Sequence, residues 1–153
     1  MSSSDSTTSG VAEPAAPVSW EETLIADVRA HGGRPSRGPL AGHPILLMWS
    51  RGAKSGVERR AILTYSQDGE DLVVAGSASG ADHDPAWITN VGKQPRVRLE
   101  VAGETFDATA TVEASGAERD RLWRAHVAAL PWFGDYEQKT SRVIPVVRLH
   151  RAG

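Results

Sequence analysis

The stretch ILLMWSRGAKSGVERRAILTYS, residues 45–66, decides the fold class of this chain. Residues 45–49 are five consecutive apolar side chains, which is typical of a strand buried on both faces and too short for a helix. Gly52 and Gly56 allow a tight turn, and residues 57–66 predict a returning strand. The stretch therefore predicts an antiparallel hairpin with a basic turn.

Four further strands are predicted on the C-terminal side of this hairpin. Their ranges are 72–76, 97–101, 104–112 and 143–149. Pro145 requires the last of them to be an edge strand or to start at the proline. About six strands joined mostly to their neighbours, with helices inserted between them, predict a mainly β protein with peripheral helices (α+β). The sheet should be antiparallel and barrel-like, which disfavours a Rossmann domain.

Helix starts are predicted from local capping patterns. The patterns are Ser19 with Glu22, Asp84 with Pro85, and Ser115 with Glu118. The helices that follow are expected to end near Gly33, Gly92 and Pro131. A short segment, residues 132–140, then precedes the last strand.

The composition excludes several classes of function. Lys and Arg number 17 and Asp and Glu 19, so the formal charge of −2 offers no general field for nucleic acid or anionic lipid. Without cysteine the chain has no disulfide, thiol nucleophile or thiolate metal site. No apolar run is long enough to span a bilayer. We expect a disordered tail, residues 1–17, before one domain, residues 18–153, and a cytoplasmic location, with peripheral membrane contact left open.

The turn of the first hairpin is a candidate anion site. Four basic residues fall within ten positions around it, namely Arg51, Lys54, Arg59 and Arg60. Lys54 offers a point charge, Ser55 a hydroxyl and Arg59 a bidentate fork for phosphate or carboxylate oxygens. It is not a Walker A loop, because Ala53 separates Gly52 from Lys54 and a strand follows. A solvated, charged surface turn is the alternative.

Other chemistry-bearing side chains are less specific. Asp82, His83 and Asp84 are consecutive and cannot all face one metal ion, so a metal site is disfavoured, and His83 is a candidate polar contact near a cleft. His126 lies on the apolar face of its helix and is expected to be a core histidine. The aromatic residues Trp123, Trp132, Phe133 and Tyr136 form either core or the wall of a pocket for a planar ligand.

Four separated motifs resemble the deazaflavin-dependent nitroreductases, a family of small split-barrel oxidoreductases that use coenzyme F420. The motifs are the basic turn (Gly52, Lys54, Ser55, Gly56, Arg59), a small-residue strand end (Ala75, Gly76, Ser77), a helix start (Pro85, Trp87, Asn90) and a C-terminal pattern (Asp135, Tyr136, Thr140, Arg142, Ile144, Pro145). They occur in the family's order between about residues 40 and 150. The resemblance implies an antiparallel split β-barrel of about six strands.

The resemblance also implies where F420 binds. Lys54, Ser55 and Arg59 contact its phosphate and polyglutamate tail, which agrees with the anion site inferred from the turn. The further implied cofactor-binding residues are Gly56, Arg60, Leu63, Ser77, Ala78, Ala86, Trp87 and Asn90. Those from Leu63 onward line the deazaflavin ring and its ribityl chain, and no metal is implied.

By the same resemblance, Leu130, Phe133 and Tyr136 face the acceptor. Ser77 and Tyr136 are the implied catalytic residues, since Ser77 hydrogen-bonds the acceptor and Tyr136 positions it or relays a proton. The implied reaction is hydride transfer from reduced F420 to an electron-poor small molecule such as a quinone, enone or nitro compound. Ala53 departs from the family's pattern, which often has a basic residue there, and Phe133 lacks a tyrosine hydroxyl.

Two other functions stay open from the residues alone. An FMN-dependent reductase on the same split barrel would also need a phosphate-binding turn. A non-catalytic protein would bind a cofactor or lipid-like ligand without turnover. As partners we expect a small-molecule acceptor and no nucleic acid, and the chain is expected to be a monomer or homodimer.

Overall fold

The computed structural model describes residues 19–152, which form one seven-stranded antiparallel sheet and four α-helices. The helices are α1 (Trp20–Ala30), α2 (Ala86–Lys93), α3 (Ala117–Ala129) and α4 (Phe133–Gln138). The strands are β1 (Ile45–Arg51), β2 (Glu58–Thr64), β3 (Ser66–Asp68), β4 (Asp71–Ala75), β5 (Arg96–Val101), β6 (Glu104–Glu113) and β7 (Val146–Arg151). A 3-10 turn (Ala78–Gly80) follows β4. The predicted tail, residues 1–17, and residues 18 and 153 lie outside the described part.

The sheet curls because its two edge strands are consecutive in the chain. Its strand order is β2-β1-β5-β6-β7-β4-β3. β2 ends at Thr64 and β3 begins at Ser66, so the chain passes from one edge of the sheet to the other across Tyr65 alone. The edges therefore lie side by side and the sheet forms a half-barrel. The predicted α+β class and antiparallel sheet are confirmed, but the strand predicted at 57–66 is divided at Tyr65, which makes seven strands.

Both faces of the sheet are covered, as the apolar run at 45–49 predicts. The side chains from Ile45 to Met48 are at most 1% exposed. Because successive strand residues point to opposite faces, Val74 packs with residues of α2, whereas its neighbour Val73 packs with residues of α3 and α4. As a result, α2 lies against β1 on one face, and α4 lies against the 3-10 turn beside the other.

One predicted helix cap is confirmed and two are wrong. Ser19 Oγ accepts from the Glu22 N–H at 3.1 Å, and Glu22 Oε1 accepts from the Ser19 N–H at 3.3 Å. Asp84 does not cap α2, which begins after Pro85, because its carboxylate binds Arg142 instead, at 2.7 Å. Glu118 does not cap α3 and pairs with Arg121 and Arg148, and the N-cap is Gly116 rather than Ser115. Long-range arginines thus replace the local caps.

The ends of two elements also differ from the sequence prediction. α2 continues through Gly92 to Lys93, and the last strand begins at Val146, directly after Pro145, rather than at residue 143. The proline ends the preceding loop and leaves the β7 N–H groups free to pair with β4 and β6. None of the helices in the described residues combines the length and hydropathy of a membrane span.

Candidate functional site

Two clefts adjoin at the side chain of Trp87, in the first turn of α2. The first, called here the turn cleft, has a volume of about 620 Å³ and lies between the β1–β2 turn, the start of β2 and α2. The second, called here the aromatic cleft, has a volume of about 260 Å³ and lies between the end of β2, the 3-10 turn and α4. Trp87 lines both clefts, so one elongated molecule can lie across them.

Ten of the eleven predicted cofactor-binding residues line these two clefts. The turn cleft contains Lys54, Ser55, Arg59, Arg60, Ala86, Trp87 and Asn90, and the aromatic cleft contains Leu63, Ser77, Ala78 and again Trp87. Gly56, the eleventh, lines neither cleft and instead shapes the turn, with a φ of +70° that favours glycine. The structure thus brings together residues that are up to 36 positions apart in sequence, from Lys54 to Asn90.

Hydrogen bonds within the β1–β2 turn fix its backbone. The Gly52 N–H donates to the Val57 carbonyl at 2.8 Å, and the Gly56 N–H donates to the Gly52 carbonyl at 2.9 Å. Ser55 Oγ accepts from the Val57 N–H at 3.1 Å. A side chain at position 52 would place its Cβ 2.7 Å from that hydroxyl oxygen. A side chain at position 52 would therefore displace the Ser55 hydroxyl, which is engaged inside the turn.

Asn90 joins α2 to this turn. Its Oδ1 accepts a hydrogen bond from the Ala53 N–H at 3.0 Å, across 37 residues of sequence. The resemblance implied that Asn90 contacts the cofactor, and the structure shows that its carbonyl oxygen binds the turn backbone. Asn90 therefore holds the tip of the turn, including Lys54, at a fixed place beside α2.

The turn cleft carries positive charge that the described residues do not neutralise. Within residues 19–152, neither Lys54 nor Arg59 lies within 4 Å of a carboxylate oxygen. Arg60 approaches Glu21 at 3.4 Å, and Arg51 donates to the Gly56 carbonyl at 3.1 Å. Two exposed cations without acidic partners beside a cleft suit an anionic ligand better than a turn that is only solvated.

The aromatic residues divide between core and cleft. Trp123 is 4% exposed and belongs to the core, whereas Trp132, Phe133 and Tyr136 all line the aromatic cleft. Trp132 is the N-cap of α4, so it and Phe133 both reach the cleft although they are adjacent. The Phe133 and Tyr136 rings meet edge to face with centroids 5.3 Å apart. Core packing is therefore correct for Trp123, and the wall of a cleft is correct for Trp132, Phe133 and Tyr136.

Four residues with hydroxyl groups line this cleft, namely Thr64, Ser77, Ser79 and Tyr136. Ser77 and Tyr136 were singled out by the resemblance. Ser77 is 7% exposed at the end of β4, and Tyr136 projects from α4 on the other side. These are the two residues that the resemblance implies as catalytic. The cleft therefore combines hydroxyl groups with apolar side chains, which is the usual character of a small-molecule site.

Leu130 and the two histidines singled out by sequence lie away from this cleft. Leu130 is 2% exposed and lines a separate cavity of about 320 Å³ with Tyr65. His126 is fully buried with Nδ1 2.7 Å from Ser66 Oγ, which confirms a core histidine, and burial lowers its pKa to about 4. His83 lies on an exposed loop beside the Asp84 carbonyl rather than in either cleft. No group of three potential metal ligands occurs in residues 19–152.

Sequence reasoning missed Leu40, which lines the aromatic cleft from the loop after α1. A signal existed, because Leu40 is the one large apolar side chain between residues 34 and 43. Ser50 and Thr89, on the walls of the turn cleft, were also missed. Neither carries a pattern that distinguishes it from other polar residues of a strand or helix.

Comparisons with known proteins relate the chain to one family. Residues 20–151 match the family described as F420H(2)-dependent quinone reductase. An F420H(2)-dependent quinone reductase of Mycobacterium tuberculosis is 34% identical over 110 residues, which are 71% of this chain and 74% of that protein.

Two solved structures extend the similarity to the fold. An F420-H2 dependent reductase, FDR-A, is 32% identical, with a TM-score of 0.63 over 70% of this chain and 94% of its own. A second structure, described as a domain-swapped dimer, is 28% identical, with a TM-score of 0.65 over 85% of this chain and 96% of its own. The split-barrel fold expected from the resemblance is confirmed.

Proposed function

This chain belongs to the F420H(2)-dependent quinone reductase family, and from this premise we propose that it transfers a hydride from reduced F420 to a quinone held in the aromatic cleft. The observation that carries the proposal is the junction of the two clefts at Trp87. A cationic cleft and a largely apolar cleft that carries hydroxyl groups meet at one aromatic side chain. This suits a cofactor with an anionic tail and a planar ring.

The turn cleft fits the phosphate and polyglutamate tail of F420. Lys54 and Arg59 supply charges that no carboxylate in residues 19–152 neutralises, and the turn that holds them is fixed by internal hydrogen bonds and by Asn90. A preorganised pair of cations binds an anion without first breaking ion pairs. Ala53 has no charge to add, so Lys54 and Arg59 carry most of the electrostatic attraction.

The aromatic cleft fits the ring and the acceptor. Leu63, Ala78 and Trp87 offer apolar surface for the deazaflavin, and Phe133 and Tyr136 face them from α4. Bound there, reduced F420 supplies a hydride to an electron-poor acceptor. The chain itself would orient the two reactants through lining residues that are held firmly in place, since Ser77 and Phe133 are both buried.

The acceptor oxygen becomes negatively charged as a quinone is reduced, so hydrogen-bond donors beside it favour the reaction. The Ser77 hydroxyl can donate to that oxygen, and the Tyr136 phenol can donate from α4 or pass a proton to the oxygen. Phe133 contributes an aromatic face without a hydroxyl. Enones and nitro compounds present oxygen atoms of the same kind and are the other acceptors that this arrangement would serve.

Titration of the purified protein with F420, followed by cofactor fluorescence, tests the cofactor site. We predict that Lys54→Ala and Arg59→Ala each raise the dissociation constant about tenfold, because each removes one charge-assisted contact worth on the order of 1.4 kcal/mol. Added salt should weaken wild-type binding more than binding by either variant.

Arg96→Ala is the matched control, since Arg96 is an exposed arginine on β5 that pairs with Asp107 at 3.0 Å and lines neither cleft. It should bind F420 like the wild type. An equal decrease in F420 affinity in Lys54→Ala, Arg59→Ala and Arg96→Ala would contradict a specific anion site. A wild-type protein that binds F420 but does not oxidise its reduced form with a soluble naphthoquinone would contradict the proposed reaction.

A further inference from the structure

The wall of the aromatic cleft contains an unfavourable backbone conformation. Ser77, Ala78 and Ser79 line the cleft, and Ala78 and Ser79 have φ angles of +46° and +56°. Residues with a Cβ rarely adopt this left-handed region, and they persist in it only where surrounding contacts enforce it. Some other group must therefore hold this loop in place.

Arg142 is that group. Its Nη2 donates to the carbonyls of Gly76 and Ser77 at 3.1 and 2.9 Å, and its Nε donates to the Ala81 carbonyl at 2.8 Å. Its Nη1 binds Asp84 at 2.7 Å, and the side chain is 15% exposed. The planar guanidinium thus joins both ends of the loop, on either side of the two strained residues. A lysine ammonium lacks the fork that reaches these positions together.

Arg142 lies in the segment of chain that follows the opposite wall of the cleft. It follows α4, which carries Tyr136, and its own N–H donates to Thr140 Oγ1 at 3.2 Å. The loop touches α4 closely, since a Cβ at Gly80 would lie 3.1 Å from the Tyr136 carbonyl oxygen. The loop that the Arg142 side chain binds therefore packs directly against the helix that carries Tyr136.

We propose that Arg142 is a positioning residue for hydride transfer, which holds the Ser77–Ser79 backbone at the separation from Tyr136 that the acceptor requires. This inference rests on the proposed function. Arg142 lines neither cleft, so it acts through the loop and not by contact with the reactants. The anionic tail is held elsewhere, by the turn, and its binding should depend little on Arg142.

Steady-state kinetics of Arg142→Met and Arg142→Lys with F420 and a soluble naphthoquinone test the proposal. We expect kcat to fall on the order of 10- to 100-fold, the usual cost of a misplacement near 1 Å, while the F420 dissociation constant stays within about threefold of the wild type. Free guanidinium ion should restore part of the activity of Arg142→Ala, because it can occupy the vacated site.

Arg119→Met is the matched control. Arg119 is also a buried arginine, 6% exposed, whose Nε donates to a backbone carbonyl, that of Ile144, at 2.9 Å, but it lies outside both clefts. It should lose stability without the loss of kcat. If kcat falls equally in both variants, or if Arg142→Met keeps wild-type kcat, the proposal is overturned.

Hydrogen exchange provides a readout that does not need turnover. The Gly80 and Ala81 N–H groups donate within the loop, to the Ser77 and Ala78 carbonyls at 2.8 and 3.1 Å. Their exchange should accelerate at least tenfold in Arg142→Met and stay unchanged in Arg119→Met. Unchanged exchange in Arg142→Met overturns the proposal even if the wild type proves inactive, and inactivity of the wild type with normal loop protection contradicts only the proposed function.

Discussion

At the scale of single residues, His126 makes stability depend on pH. Its imidazole has no exposed surface, and burial lowers its pKa from 6.5 to about 4. As the pH falls, the His126 imidazole therefore becomes protonated near pH 6.5 in the unfolded chain but only near pH 4 in the folded chain. The folded state loses stability as the pH falls through this window, by about 3 kcal/mol in total.

We predict that His126→Gln removes this dependence. Urea unfolding at pH 7 and at pH 4.5 should show a large decrease in the free energy of unfolding for the wild type and a much smaller decrease for the variant. The lowered pKa values of Asp68, Asp71 and Glu118 affect stability mainly below about pH 4.5, because the unfolded carboxyls take up protons from their ordinary pKa values of 3.8 and 4.5 downward. His83→Gln, on an exposed loop, should behave like the wild type, and the same decrease in both variants would contradict the assignment.

The sequence predicts some site residues and not others, for a physical reason. Lys54 and Arg59 were predictable because Lys54 lies in the short turn after Gly52 and Arg59 at the start of the strand that follows, so the spacing of charges along ten residues is visible in the sequence. The role of Arg142 was not visible. Three of its acceptors are backbone carbonyls 61 to 66 residues away, and any residue type supplies such a carbonyl.

At the scale of secondary-structure elements, the β1–β2 turn depends on α2 through one side chain. We predict that Asn90→Ala raises the F420 dissociation constant by about threefold to tenfold, since the Ala53 N–H loses a hydrogen bond worth about 1 kcal/mol. The effect is indirect and should be smaller than that of Lys54→Ala. Fluorescence titration of both variants under the same conditions measures the difference.

Asn90→Asp separates the two roles that Asn90 could have. Aspartate keeps an oxygen acceptor for the Ala53 N–H but adds a negative charge beside the anion site. Binding by this variant should therefore be weaker than wild type at low salt and recover partly at high salt. Wild-type affinity in Asn90→Ala would show that the turn does not need α2.

Predicted helix ends also show where local patterns are insufficient. The cap at Ser19 forms where, within residues 19–152, the side chains of Ser19 and Glu22 bind only each other's backbone N–H groups. Asp84 and Glu118 have equally good local patterns, but folding brings a distant arginine to each. Arg142, from the segment before β7, binds Asp84, and Arg148, on β7, binds Glu118. A charge-assisted ion pair outcompetes a cap of about 1 kcal/mol.

At the scale of the whole molecule, closure of the sheet creates the site. The single residue Tyr65 between the two edge strands brings the end of β2 beside β4 and its 3-10 turn. The antiparallel type of the sheet and the places of most strands could be predicted from apolar alternation, but the break at Tyr65, and with it the seventh strand, could not, because residues 57–66 read as one continuous strand. The aromatic cleft lies where the two edge strands meet. Its place in the fold therefore could not be derived from the strand pattern, which did not show the break at Tyr65.

The same architecture predicts that the two clefts contribute separately and that Trp87 couples them. The bonds of Arg142 stay within residues 76–84 and its own segment, while those of the turn stay within residues 51–57 and Asn90. Lys54→Ala should therefore lower the F420 affinity, and Arg142→Met should lower kcat. In the double variant the two effects should be independent, so the F420 affinity and kcat should each match the corresponding single variant to within about 0.5 kcal/mol.

Trp87→Leu should lower F420 affinity and kcat together, each about tenfold. Trp87 lines both clefts, so its loss removes contacts to both the deazaflavin ring and the anionic tail of F420. Trp49→Leu is the matched control, since Trp49 is a half-buried tryptophan on β1 that lies under Arg98, 4.7 Å from the ring centroid, and lines neither cleft. If Trp87→Leu changed only one of the two quantities, the clefts would hold separate ligands. If one molecule spans both clefts, the substitution should alter both its affinity and the rate of hydride transfer.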